Sequence, residues 1–177
     1  MAVREPFCHT IVLAEVSHDP TVADKTVREL LDTLASDHST PGSGAAAAVA
    51  LALAAGCGGK AVAISLKHRP ANAALLQNRE RLSGIVERAL RGADEDARRF
   101  EDFLQSDDPV ASLRLAKAET AMRDLADELM IVLRDVRDHV VPSVTGDIVA
   151  AAALRGAAMA IEAENLSETR RESTPAS

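Results

Sequence analysis

The stretch Thr40-Pro41-Gly42-Ser43-Gly44-Ala45-Ala46-Ala47-Ala48-Val49 is a Pro/Gly turn that runs without a break into an alanine-rich apolar segment. Residues 44 to 66 carry that apolar character onward, which predicts a central helix buried on most of its faces. The turn also reads as a site. Glycines let the backbone come close to a ligand, and a helix start offers unpaired N–H groups and a partial positive charge to an anion or a carbonyl oxygen. A plain loop before a core helix explains the same residues, and local sequence leaves both readings open.

Working outward, the chain predicts helix after helix. Val27, Leu30, Leu31 and Leu34 follow i, i+3, i+4, i+7 spacing, giving an amphipathic helix over 22 to 36 that delivers the turn. Beyond the alanine helix, Lys67-His68-Arg69-Pro70 breaks the chain, and an apolar pattern from Leu75 to Phe100, Phe103 and Leu104 predicts one long helix softened at Gly92. Ser106-Asp107-Asp108-Pro109 starts a fourth helix, which Pro142 closes. Thr145-Gly146-Asp147 opens a last one, reaching about Asn165. The expectation is an all-α, single-domain bundle of about five helices over 26–166. Residues 1–25 form an N-terminal arm and 167–177 a disordered tail. Within the arm, Thr10 to Val16 reads as a short strand, for which a copy in a second subunit is the available partner.

Composition narrows the function. A chain of 177 residues, 47% hydrophobic, can bury one proper core, but three Phe, no Trp or Tyr and abundant alanine mean little buried area per side chain. Such a core gains from a partner subunit. The net charge of −7, with no basic stripe and no interleaved aromatics, argues against nucleic acid. Cys8 and Cys57 have no metal spacing, Cys57 reads as a buried thiol, and the five histidines form no ligand set, so no metal is expected. Lys60 and a Gly-Gly pair interrupt the apolar stretch and no second span follows, which argues against a membrane; the N-terminus is unlike a signal peptide. A cytoplasmic location fits.

Chemistry is best sought among carboxylates placed where carboxylates are costly. Asp94 and Glu95 have Arg98 and Arg99 at i+4 and read as solvated pairs. Asp96 differs, because Ala93, Phe100 and Phe103 at i−3, i+4 and i+7 put it on the buried stripe. Burial raises a carboxyl pKa and suits it to proton transfer near neutrality. A structural Asp bonded to its neighbours is the alternative.

Taken in order, the run Thr26-Val27-Arg28-Glu29-Leu30-Leu31-Asp32-Thr33-Leu34-Ala35-Ser36, the turn Thr40-Pro41-Gly42-Ser43-Gly44, the alanine helix, and Asp96 four residues before Phe100 resemble the formiminotetrahydrofolate cyclodeaminase and methenyltetrahydrofolate cyclohydrolase family. Asp147 and Asn165-Leu166 are similar to the family's Ser-Asp and Asn-Leu elements; a second register puts Ala160 where the first puts Asn165. The resemblance implies an all-helical homodimer with no cofactor beyond its substrate, a tetrahydrofolate derivative. Members expel ammonia from 5-formiminotetrahydrofolate or hydrolyse the methenyl compound. It implies Asp96 as the catalytic acid/base and Pro41, Gly42, Ser43 and Gly44 around the substrate, together with Asp147 and Asn165. Folate is anionic, and Lys67 and His68, with Arg69, are candidates for the basic patch it needs; helix-end charges complementing the dipole explain them equally. Asp147 reads equally as a helix cap. Ser43 stands where the family has the middle glycine of Pro-Gly-Gly-Gly, and the family's long C-terminal helix is not expected after Leu166. If Ser43 needed a positive φ, its side chain would cost about 1 kcal/mol or more. Those departures keep two alternatives in view, recruitment to another amine-releasing cyclisation or imine hydrolysis, and a non-catalytic helical dimer.

Overall fold

A computed structural model describes residues 21–105 and 109–172. Among the described residues there are five α-helices and no strand: α1 (Val27–Leu34), α2 (Ser43–His68), α3 (Ala73–Gln105), α4 (Pro109–Arg137) and α5 (Thr145–Glu172). The expected strand at Thr10 to Val16, Cys8, and the turn at Ser106 to Asp108 lie outside them.

Helix α1 starts later than its apolar spacing suggests, because a capping box fixes the start. The Thr26 N–H donates to Glu29 Oε2 at 2.7 Å and the Glu29 N–H to Thr26 Oγ1 at 3.2 Å. Residues Val22–Asp24 form a separate 3₁₀ turn, docked by the Val22 N–H, which donates to Asp94 Oδ1 at 2.6 Å. Asp94 therefore ties down the segment before α1 instead of simply facing Arg98. The expected Glu95–Arg99 pair is present at 2.7 Å.

Helix α2 packs along α3 and α5, and α4 closes the ring against the same two. Short connections make successive helices antiparallel. Alanine is what lets α2 sit so deep: Ala45, Ala47, Ala54, Ala55 and Ala61 are fully buried, and a Cβ on Gly58 would meet Leu133 at 3.0 Å and Leu82 at 3.2 Å. Leu51, Val62, Leu75, Leu82, Ile85, Leu129, Val132 and Val136 fill the remaining space, each contributing roughly 1.5–3 kcal/mol.

Three expectations are corrected by packing. Helix α3 runs unbroken through Gly92, and the glycine serves close approach, since a Cβ there would lie 2.2 Å from Met122 Cε of α4. Pro142 opens a 3₁₀ turn, Pro142–Val144, rather than ending α4, which stops at Arg137. Helix α5 continues to Glu172, into the stretch expected as a tail, because Leu166 and Thr169 are buried against the bundle; 173–177 lie outside the described residues. Cys57 is only partly buried.

Among the described residues two helices are long and apolar enough to cross a membrane, Ser43–His68 and Pro142–Thr169, so a second such stretch does follow the first. Half of the first apolar window is buried in the bundle, but only 22% of the second. The core accounts for the apolar character of α2 and leaves much of α5 unexplained.

Candidate functional site

The antiparallel arrangement brings the start of α2, the C-terminal half of α3, the N-terminal half of α4 and the C-terminal half of α5 to one end of the bundle. Gly42 is the N-cap of α2, after a cis peptide between Thr40 and Pro41. With no side-chain cap, the first N–H groups of α2 are available to an anion. Asp96 of α3 takes one: its carboxylate accepts a hydrogen bond from the Ala45 N–H.

The glycine that this contact requires is Gly44. A Cβ there would lie 2.5 Å from both Asp96 carboxylate oxygens, whereas a Cβ on Gly42 would meet only Ser39 O, at 3.7 Å. Ser43 is unstrained. No non-glycine residue among those described has a positive φ, and the Ser43 hydroxyl donates to Asn165 Oδ1 at 2.8 Å. The turn thus joins α2 to α5 through the very residue that departs from the family's glycine, and Asn165 is at the site while Ala160 is exposed.

Two further carboxylates converge here that the sequence reading did not single out. Glu119 of α4 is 5% exposed and its Oε1 accepts the Thr169 hydroxyl at 2.9 Å. Glu162 of α5 is 4% exposed. Each sits on an apolar stripe as Asp96 does: Leu115, Met122 and Ala126 flank Glu119 at i−4, i+3 and i+7, and Ala158 and Leu166 flank Glu162 at i−4 and i+4. The signal was therefore present.

Desolvation pushes the Asp96 carboxyl up, opposed by the Ala45 N–H and then by the positive charge of Arg99. Glu162 is pushed up from its ordinary 4.5 to about 8, first by burial, then by the charges of Asp96 and Glu119, with Arg123 opposing. The Ala45 N–H and Arg99 favour the ionised form of Asp96 against its burial. Glu162 is placed to keep its proton at neutral pH.

A cleft of about 690 Å³ opens beside Gly44, Asp96, Glu119 and Glu162, floored by Ala48, Met122 and Leu125. A smaller cavity of about 180 Å³ lies on the other side of Asp96, lined by Ser43, Phe100, Leu115, Asn165 and Thr169. Arg88, Arg91, Arg99, Arg114 and Lys117 line the larger cleft. Arg88 and Arg99 are paired with Glu128 and Glu95, and among the described residues Arg91, Arg114 and Lys117 make no ion pair.

The remaining sequence candidates lie elsewhere. Pro41 lines a third cavity, with Ser39, Thr40 and Arg98, on the outer side of the turn. Lys67 and His68 form the last turn of α2, and the helical rise puts them roughly 35 Å from Ser43. Asp147 is paired with Lys60 Nζ at 3.2 Å, roughly 25 Å along α2 from the same point. Within one chain these three do not join Asp96, and the basic groups beside it come from α3 and α4. Among the described residues no group of three His, Cys, Asp or Glu could hold a metal ion.

No curated protein sequence matches the chain. Among solved structures, formiminotetrahydrofolate cyclodeaminase from Thermotoga maritima is similar in fold, with a TM-score of 0.81 at 19% identity over 85% of this chain and 81% of that one. The family model described as formiminotransferase-cyclodeaminase matches residues 26–168, from the capping box of α1 to the last turns of α5. By that match, which takes in the glycine turn and all three converging carboxylates, the chain belongs to the formiminotransferase-cyclodeaminase family.

Proposed function

We propose that this protein is a folate one-carbon enzyme, a cyclodeaminase or a methenyltetrahydrofolate cyclohydrolase, with Asp96 as the acid/base at the one-carbon bridge. The observation that carries the reading is the seating of Asp96 against the start of α2, where Gly44 admits its carboxylate to the Ala45 N–H at the mouth of a cleft large enough for a bicyclic ring. Both reactions pass through a carbon bonded to two ring-system nitrogens and a third heteroatom. Both need a proton taken from a nucleophile and one given to a leaving nitrogen. Arg91, Arg114 and Lys117 supply the positive charge that an anionic substrate calls for.

The apolar character of α5 supports a homodimer. Val149 is 63% exposed, Leu53 on the neighbouring α2 is 57% exposed, and a Cβ on Gly56 or Gly156 would meet nothing within 4 Å. A second copy of the chain laid on α2 and α5 would take these residues out of water. We place the protein in the cytoplasm, with neither metal nor cofactor beyond the folate itself.

The test is direct. Purified protein is mixed with 5-formimino- or 5,10-methenyltetrahydrofolate, and formation or loss of the methenyl absorbance is followed. Wild type is expected to accelerate one of the two reactions, and Asp96→Asn to lower that rate about 10²–10⁴-fold while the circular dichroism spectrum is retained. Absence of both turnover and folate binding in the wild type overturns the reading. A non-catalytic helical dimer would instead tolerate Asp96→Asn without functional loss and gain stability from it, since an unneeded buried charge is costly.

A further inference from the structure

Asp96 alone leaves half of the proton transfer unassigned. Protons must be removed from one atom and delivered to another across the same carbon, and one carboxylate that has just accepted a proton is poorly timed to supply the second. The cleft holds another candidate. Glu162 lines it from α5, opposite the start of α2, is 4% exposed, and accepts no hydrogen bond among the described residues. A carboxyl in so little exposed a residue, facing only this cleft and without a donor, is less stable as an anion than it is in water.

We propose that Glu162 is the proton donor of this site, giving its proton to the leaving nitrogen while Asp96 takes one from the nucleophile. The proposal rests on the folate reading for its substrate, and on geometry for its division of labour. Asp96 has what an anion needs, an N–H from the positive end of α2 and the nearby Arg99. Glu162 has what a neutral acid needs. The groups facing it are Asp96 from α3 and Glu119 and Arg123 from α4, while α2 offers only Gly44 and Ala48 to the same cleft. Glu119 is itself held by the Thr169 hydroxyl, which leaves Glu162 as the member of the trio with an unengaged carboxyl. Two carboxyls close together in one site do not both ionise readily, and here the surroundings decide which keeps the proton.

In deamination, N10 bonds to the formiminium carbon, whose C=N π pair moves onto the terminal nitrogen, and the N10 proton goes to Asp96. Glu162 gives its proton to the resulting amino group, the C–N bond breaks with its pair leaving on ammonia, and the positive charge stays on the carbon shared by N5 and N10. Asp96 then holds a proton and Glu162 lacks one, so passage of that proton between them resets the site. In hydrolysis Asp96 takes a proton from the attacking water as the C–O bond forms. Glu162 protonates N5 as the C–N5 bond breaks, and the hydroxyl proton goes to solvent as the formyl C=O forms.

The experiment compares wild type, Glu162→Gln and Asp96→Asn by kcat against pH and by infrared titration of protonated carboxyls in the unliganded protein. Expected are a 10²–10⁴-fold fall in kcat for Glu162→Gln, roughly the range a positioned acid supplies, and a high-pH decline in wild type that the variant lacks. Also expected is a protonated-carboxyl band at pH 7 that vanishes in Glu162→Gln and titrates at lower pH in Asp96→Asn, where a neighbouring charge is gone. Undiminished kcat with an unchanged pH profile in Glu162→Gln overturns the inference and leaves the folate reading intact. A band that is absent from wild type, or that survives in Glu162→Gln, overturns it whether or not folate is turned over. If wild type turns over neither folate, the folate reading fails and the infrared result decides the inference on its own.

Discussion

The two ends of this bundle are built from the same materials and treat polar groups in opposite ways. At the end formed by the C-terminus of α2, buried and half-buried polar groups are matched. Ser65, fully buried, donates to Ala61 O at 2.7 Å and accepts the Val141 N–H at 2.9 Å; Arg69 donates to His139 O at 3.1 Å; Lys60 pairs with Asp147. At the other end, Asp96, Glu119 and Glu162 are drawn together: Asp96 takes the Ala45 N–H and Glu119 the Thr169 hydroxyl, while Glu162 accepts no hydrogen bond among the described residues. The first arrangement fixes loops. The second stores a proton, because in low dielectric surroundings a carboxyl without partners is more stable neutral than charged.

The largest effect that would sharpen this contrast is at Asp96. Asp96→Asn is expected to lower turnover about 10²–10⁴-fold with no loss of thermal stability, measured by methenyl absorbance and calorimetry on the same sample. Retained turnover breaks the contrast at its centre. Next comes pH. Because the folded-state pKa of Glu162 is raised from 4.5 to about 8, the folded protein binds the extra proton between those values, and stability from this group falls as pH rises through that window. The slope is at most about 1.4 kcal/mol per pH unit, and urea melts of wild type and Glu162→Gln should coincide near pH 4.5 and diverge toward pH 8, the variant being the more stable.

Gly44→Ala should follow. It drives a methyl group into the Asp96 carboxylate, for a cost of about 1–3 kcal/mol and a loss of activity, while Gly42→Ala leaves both nearly unchanged. Equal effects at the two glycines would mean that the turn matters only for its backbone. At the opposite end Ser65→Ala strands the Val141 N–H and is expected to cost about 1–3 kcal/mol with kcat/KM unaltered. The smallest effect belongs to Lys60→Ala. Its pair with Asp147 is largely exposed, and its loss should cost about 0.2–1 kcal/mol, with less at high salt.

The apolar spacing of Leu75, Leu82, Ile85 and Ala89 announced α3, and the same spacing with a carboxylate in it pointed to Asp96, which the fold leaves half-buried beside the cleft rather than fully buried. Glu119 and Glu162 obey that rule but are harder to see, because each lies in a stretch with other charges and no aromatic neighbours to mark the stripe. Gly92 reads as a soft point because a local pattern shows only the missing side chain; that Met122 occupies the space is a fact about α4. Lys67 and His68 carried the right charge for an anionic ligand, but a continuous α2 holds them at the far end, where they complement its dipole.

By itself, the sequence determined the all-α class, the buried alanine helix, the turn that starts it and one carboxylate beside it, because periodicity, capping and glycine chemistry act within a few residues of themselves. Only the tertiary structure decided which glycine is indispensable, which carboxyls share a cleft and which charges stand near them. Those are properties of surfaces brought together from four helices, and a carboxyl's proton depends on the whole of its surroundings. Ser43 shows the division most simply. As a letter in the chain it is a departure from glycine; in the fold it is the hydroxyl that fastens the turn to Asn165.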